Sequence, residues 1–458
     1  MSTRRPAWGR PRLLWERLIS SLWFVPGVML FLAGALAVAI VEVSTLVDRE
    51  ALIRYPRLFG AGAQSSRDML STIASAMMTV AGVTFSITVL AVAQASSQYT
   101  PRILRNFMRD RANQVTLGTL SGVFVYCLVV IRTVRGDEEL RFIPSLAVLM
   151  AFVLAIAAIG VLIYFIHHIA ESLGATHVLA RVREDTVAAI DRLFPEGVGE
   201  EDAAAPALPA GPWTPVPAGR TGYVSHVDAG ALLARAAAAR VVLRMERGVG
   251  DHVVEGTPLV SWAGGDDGSA ARLDGAGIRG CFTIAAVRTI DQDAEFGVRQ
   301  MVDIAVKALS PGINDTSTAI AAVDAIGAAL LRLATRRVED PFRSEGGVLR
   351  LVARGPTFES LLAVGLDEIR RAAPGKVSIY ARLLGALVPL ARATGPGTRR
   401  ALVVAHADRL LASARRSVDD AADLAEVVAA HARVLEAAGE SARGSADGAD
   451  QAAASRVG

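Results

Sequence analysis

The strongest constraint on this chain is a set of four apolar stretches, residues 19–41, 72–93, 114–131 and 143–166, none of which contains an Asp, Glu, Lys or Arg. Each approaches the ~20 residues that a helix needs to cross ~30 Å of hydrocarbon. A segment in hydrocarbon must satisfy its own backbone hydrogen bonds, so the spacing predicts four transmembrane helices. The first stretch is too long for a secretory signal peptide and lacks a small-residue cleavage site. Trp15, Trp23 and Phe24 at its start suit the membrane–water interface. Composition agrees: 52% of residues are hydrophobic and only 20% charged, below the ~25% charge of soluble domains.

Arginine distribution predicts orientation. Arg4, Arg5, Arg10, Arg12 and Arg17 precede the first span, and Arg102, Arg105, Arg109 and Arg111 follow the second. Between spans three and four, Arg132, Arg135 and Arg141 are offset by Asp137, Glu138 and Glu139. The positive-inside rule then gives a multi-pass inner-membrane protein with both termini in the cytoplasm.

Several function classes are disfavoured. Proton-coupled transport relies on ionisable groups within the membrane, and these stretches have none. The net charge is only +3, with acidic and basic residues interspersed through the C-terminal half. The absence of a basic stripe with aromatics argues against nucleic acid as a partner. Cys127 and Cys281 are the only cysteines, too few for a disulfide framework or a zinc site. His167 and Glu171, one helical turn apart beyond span four, read as an interfacial pair rather than a metal site.

The second span differs from the others. Ser71, Ser75 and Thr79 recur at every fourth residue, and Ser86 lies near the same stripe. Ala74, Ala76, Ala81 and Gly82 permit close approach of another helix. Two readings fit: close helix packing, or a weakly polar pore wall in an oligomer, with Ser75, Thr79 and Ser86 facing the axis. In the second, Arg102, Arg105 and Arg109 ring the cytoplasmic mouth and favour anions. Pro101 marks a bend in the membrane-proximal segment 94–114.

Residues 170–194 predict an amphipathic helix continuing span four, and 196–219 are rich in Gly, Ala, Pro and acid, a linker composition. From 220 to 290 the pattern is β-rich. Its glycine spacing around 248–259 is similar to the biotinyl/lipoyl-like half-barrel, without a carrier lysine, since no Lys precedes Lys307. Residues 291–438 are mostly helical, and 439–458 have the composition of a disordered tail. The fold class is therefore a membrane α-helical domain of four transmembrane helices (19–169) after a cytoplasmic segment (1–18). A cytoplasmic α+β domain follows, with a small β half-barrel and a helical C-terminal part.

The densest polar signal lies at the junction of those two parts. Arg288, Asp291, Gln292 and Asp293 precede a helix on which Glu295, Arg299, Asp303 and Lys307 fall at successive i+4 steps with alternating sign. Ser310, Pro311 and Gly312 end that helix, and Asn314, Asp315 and Thr316 can cap the next. The run reads as a helix–loop–helix corner or as a ligand or partner site. No nucleophile–base pair, phosphate-cradling loop or metal-spaced cluster accompanies it, so neither catalysis nor a cofactor is expected.

Three runs carry a family resemblance: Ser-Gln-Tyr-Thr-Pro-Arg at 97–102, the 288–293 segment, and Asp303 followed by Ala-Leu-Ser-Pro-Gly-Ile-Asn-Asp at 308–315. Over about residues 18–437 the chain resembles bacterial predicted membrane proteins grouped as domain of unknown function 2254. Thr316 stands where the family pattern has proline after the Asn-Asp pair. The resemblance implies membrane topology and no particular activity. The residues favour an oligomeric ion channel or transport-related protein with a cytoplasmic regulatory domain. The alternative is a membrane-anchored sensor or scaffold that binds a ligand or protein. Expected partners are the lipid bilayer, further copies of the chain, and an ion or small ligand.

Overall fold

The computed structural model describes residues 23–54, 62–98, 111–134, 144–172, 174–194, 206–265, 273–338 and 341–454. The chain divides into two compact units, Met1–Gly174 and Ala175–Gly458.

Among the described residues, the first unit holds four helices: α1 (Phe24–Arg54), α2 (Ala63–Gln98), α3 (Arg111–Thr133) and α4 (Ser145–Ser172). α2 and α3 contain the second and third apolar stretches and extend beyond them, while α1 and α4 begin within the first and fourth and run past their C-terminal ends. α3 is the central helix and packs against the other three. Its Gly118 and Gly122 lie one turn apart, and a Cβ at Gly118 would stand 2.6 Å from Met29 Sδ and 3.1 Å from Pro26 Cα. That close approach lets α1 and α3 pack by direct van der Waals contact, the main attraction between helices in lipid. Leu70, Leu120, Tyr126, Val130 and Ala151 are fully buried within the unit. The Tyr126 hydroxyl donates to the Ala147 carbonyl at 3.0 Å, so even its buried polar end is satisfied. Phe31, Phe85, Leu90, Ile156 and Ile163 are exposed on the outside. A surface that apolar suits hydrocarbon rather than water.

The second unit begins with α5 (Ala175–Leu193). It is separate from α4, which ends at Ser172, so the single continuous helix expected from 170 is broken near Gly174. Next come β1 (Thr214–Pro217), β2 (Gly222–Val227), α6 (Ala229–Ala239), β3 (Val242–Met245), β4 (His252–Val253), β5 (Pro258–Ala263), α7 (Gly275–Arg279) and β6 (Phe282–Ala285). The helical part is α8 (Ala294–Leu309), α9 (Thr316–Ala334), α10 (Phe358–Ala372), α11 (Val377–Ala393), α12 (Thr398–Arg415) and α13 (Ala421–Ala454), with β7 (Phe342–Glu345) and β8 (Val348–Val352) between α9 and α10. α13 continues through 439, where the composition suggested a disordered tail.

Sheet topology departs from the expected half-barrel. One sheet has the order β1-β5-β3-β8-β7 and the other β4-β2-β6. β8 pairs in parallel with β3 through Leu243 opposite Leu351, which draws a strand from beyond α9 into the core made by 220–290. β1 lies inside the expected linker and pairs antiparallel with β5. Its prolines deprived it of a strand signature, yet proline is tolerated on an edge strand, and β1 is an edge. Val224, Leu232, Leu243, Leu259, Ile278 and Leu351 close the core between sheets and helices.

Five helices among the described residues are long and apolar enough to cross a membrane. Four form the first unit, and the fifth is α9. α9 packs against α5, α8, α10 and α11 within the second unit.

Candidate functional site

α2 presents two opposite faces. Leu70, Ala74, Met77, Ala81 and Thr84 are buried against the other helices. Ser75, Thr79 and Ser86 are exposed on the other side. At ~100° per residue, Gln64, Asp68, Ser71, Ser75, Thr79, Gly82 and Ser86 all fall within an arc of about 80°. The Gln64 amide and the Thr79 and Ser86 hydroxyls on this face donate within their own helix. Thr79 Oγ1 donates to the Ser75 carbonyl at 2.9 Å and Ser86 Oγ to the Gly82 carbonyl at 3.0 Å. Such back-bonding leaves the hydroxyl lone pairs pointing outward. Ser71, Thr72, Ser75, Ala76, Thr79 and Val80 line an open groove of about 620 Å³. The stripe reaches further than the sequence reading took it, because Gln64 Nε2 donates to Asp68 Oδ1 at 2.9 Å on the same face. The signal was the same four-residue period continued upstream of 72. Arg102, Arg105 and Arg109 lie outside the described residues.

The polar run of the second unit separates into two clusters at opposite ends of α8, whose 16 residues span about 24 Å. At the N-terminal end, Arg288 donates from Nε to Asp293 Oδ2 at 2.7 Å and from a terminal nitrogen to Oδ1 at 3.0 Å. Asp293 is 5% exposed. Its Oδ1 also accepts from the Phe296 amide at 3.0 Å, which caps α8. Burial works against the Arg288 charge, but the hydrogen bond and charge of Asp293 outweigh it and raise the guanidinium pKa. Burial also raises the Glu295 carboxyl, despite Arg288 3.9 Å away. Gly250, at φ 91°, brings the turn 248–251 against this pair: a Cβ there would stand 2.7 Å from Arg288 and 2.8 Å from Asp293. Gln292 belongs to the 3-10 turn Ile290–Gln292 that leads into the cap. The side chain of Asp291 lies outside the described residues.

At the other end, Ser310 Oγ donates to the Lys307 carbonyl at 2.6 Å. Asn314 takes a left-handed backbone, φ 49°, and its Oδ1 accepts from Lys376 Nζ at 2.5 Å. Asp315 caps α9 by accepting from the Thr318 amide at 3.0 Å and the Thr318 hydroxyl at 2.6 Å. The Thr318 hydroxyl holds the Asp315 carboxyl below the usual carboxylate range. Between the clusters, Arg299 forms an ion pair with Glu368 of α10, rather than only with neighbours along α8. Asp303 is half-buried on α8. These polar groups join helices, turns and the sheet to one another.

Other charged residues drew no attention in the sequence. Asp191 on α5 accepts from Arg332 at 2.5 Å and Arg336 at 2.6 Å. The Arg332 hydrogen bond lowers its pKa. His406, 2% exposed, stands 3.8 Å from Asp367, and burial lowers its pKa. Arg399, 5% exposed, donates to the Arg336 carbonyl at 2.8 Å and lies over the Phe358 ring. Partners so distant in the chain leave no periodic signal.

A bundle of long apolar helices with a lipid-compatible exterior, followed by a separate α/β unit, defines an integral membrane protein. The sequence profile of the predicted membrane proteins called domain of unknown function 2254 matches residues 19–388, and the chain belongs to that family. Similar proteins include uncharacterized proteins of Mycobacterium bovis and Mycobacterium tuberculosis. Both are 32% identical over 438 residues, covering 93% of this chain and 82% of theirs. No solved structure matches the chain.

Proposed function

We propose that the protein is an oligomeric ion channel in which copies of α2 surround a wet axis and the second unit serves as a cytoplasmic regulatory domain. The observation that carries this reading is the direction of the α2 stripe. Ser75, Thr79 and Ser86, with Gln64 and Asp68 at one end, are turned away from the packed face of their own bundle. A carboxylate and a row of hydroxyl lone pairs gain little from acyl chains, whereas water or another copy can solvate them. Four spans with both termini inside follow from the arginine distribution. The fifth apolar helix, α9, belongs in water-facing protein: Asp324 on it pairs with Arg382 of α11, and Arg332 with Asp191 of α5.

Arg102, Arg105 and Arg109 favour anions at the cytoplasmic mouth, and Asp68 favours cations at the other. Reversal potentials across a salt gradient in liposomes read which charge dominates. The pore itself is tested by cysteine at 75, 79 and 86, after replacement of Cys127 and Cys281. Labelling by a water-soluble thiolate-selective reagent at all three is expected. Silence at all three, beside a labelled control at 105, overturns the pore.

A further inference from the structure

Independently of the α2 stripe, a groove of about 500 Å³ runs along the outside of the first unit between α3 and α4. Tyr126 meets Ala147 near one end of this helix pair, while Arg111–Thr116 meet 157–164 near the other, so the two helices run antiparallel. Val115, Ala157 and Val161 make the groove apolar. Gly160 lies on its wall, and a Cβ there would meet nothing within 4 Å. Ile156, Ile159 and Ile163 beside it are exposed and continue the lipid-facing surface.

Three polar groups interrupt that apolar lining. Arg111 is the first described residue of α3 and is exposed. A helix of 23 residues is about 34 Å long, close to the ~30 Å hydrocarbon thickness, so Arg111 stands at headgroup depth. Tyr164 also lines the groove, 57% exposed and stacked on His168. Thr116 lies about 7 Å deeper along the helix. It is 1% exposed, and its Oγ1 has no hydrogen-bond partner among the described residues. Thr119 on the same helix donates back to the Val115 carbonyl at 2.8 Å, as membrane threonines commonly do. A buried hydroxyl left without a partner costs about 1–3 kcal/mol, so the groove is incomplete without an acceptor there.

We propose that this groove is a binding site for an anionic glycerophospholipid of the bilayer. One acyl chain lies along Val115, Ala157, Gly160 and Val161. Arg111 takes the phosphate, Tyr164 donates its hydroxyl to the headgroup, and Thr116 Oγ1 donates to an ester carbonyl of the glycerol backbone. The depth order of arginine, then threonine, matches phosphate, then ester. A free phosphate satisfies only the first of the three.

Native mass spectrometry of the full chain in a non-ionic detergent tests this, with dioleoylphosphatidylglycerol and dioleoylphosphatidylcholine titrated separately. The wild type is expected to retain one phosphatidylglycerol in preference to phosphatidylcholine. Arg111→Gln lowers phosphatidylglycerol retention about tenfold, the scale of one charge-assisted hydrogen bond, and Arg111→Lys keeps most of it. Gly160→Leu places a side chain in the groove at a position where a Cβ meets nothing within 4 Å and lowers retention of both lipids, and Thr116→Val lowers it less. Unchanged elution and melting temperature show that each variant is folded. Inorganic phosphate at millimolar concentration leaves the adduct in place. Equal retention of the two lipids by the wild type, equal phosphatidylglycerol retention in wild type and Gly160→Leu, or displacement by phosphate alone, would overturn the site.

Discussion

Removing the Asp293 carboxylate takes away two things at once: the cap on α8 and the bidentate partner of Arg288. Loss of an N-cap costs about 1 kcal/mol. Stranding one member of a fully buried ion pair costs about 3–5 kcal/mol. The Arg288 side chain is 21% exposed, and Glu295 lies 3.9 Å away to take over part of its charge. The second contribution therefore falls to about 1–2 kcal/mol after solvent screening, for a total near 2–3 kcal/mol. For a unit of this size, each kcal/mol moves the melting temperature by roughly 2 °C, so Asp293→Ala should lower the second unit's transition by about 4–6 °C. Intrinsic fluorescence of the detergent-solubilised chain follows that transition through Trp213 and Trp262. Asp293→Asn keeps an oxygen for the Phe296 amide and should lose about half as much. Arg288→Met in the Asp293→Ala background should cost less than the two single changes added together, because neither charge is then stranded. A shift below about 1 °C for Asp293→Ala, or strict additivity in the double variant, refutes the reasoning.

Asn314→Ala should destabilise by about 1 kcal/mol in thermal melting, since alanine resists the left-handed backbone that Asn314 adopts at φ 49°. Asn314→Gly should cost clearly less, as glycine accepts that backbone. Gly297→Ala should cost about 1–3 kcal/mol by overpacking, because its Cβ would stand 2.1 Å from Thr186 Oγ1. Adding Thr186→Ala should restore part of that loss in the same assay. Burial lowers the folded-state pKa of His406, so the unfolded chain binds its proton first as pH falls below about 6.5. The second unit should therefore lose stability between pH 7.5 and 5.5, and His406→Gln should flatten that slope in melting scans.

The hydrocarbon requirement made the membrane part legible, because a span must be apolar without interruption and the sequence carries that property locally. Local chemistry also located Asp315 among the caps, since a cap acts on amides two or three residues away, whereas the cap that Asp293 places on α8 came only from the structure. The period of Ser71, Ser75 and Thr79 told that these hydroxyls share a side of α2. Only the packing of Leu70, Ala74 and Met77 decided that this side faces away from the bundle. The spacing of Gly118 and Gly122 was present in the sequence, but what approaches them, Pro26 and Met29 at the first and Met29 and Ala33 at the second, was not. The half-barrel expectation treated 220–290 as self-contained, and β8 joined that core from beyond α9. Asp191 and its partners Arg332 and Arg336 belong to helices far apart in the chain. Pairings of this kind depend on which surfaces can be buried together after every local element has formed, a choice made by the whole core and by no single segment.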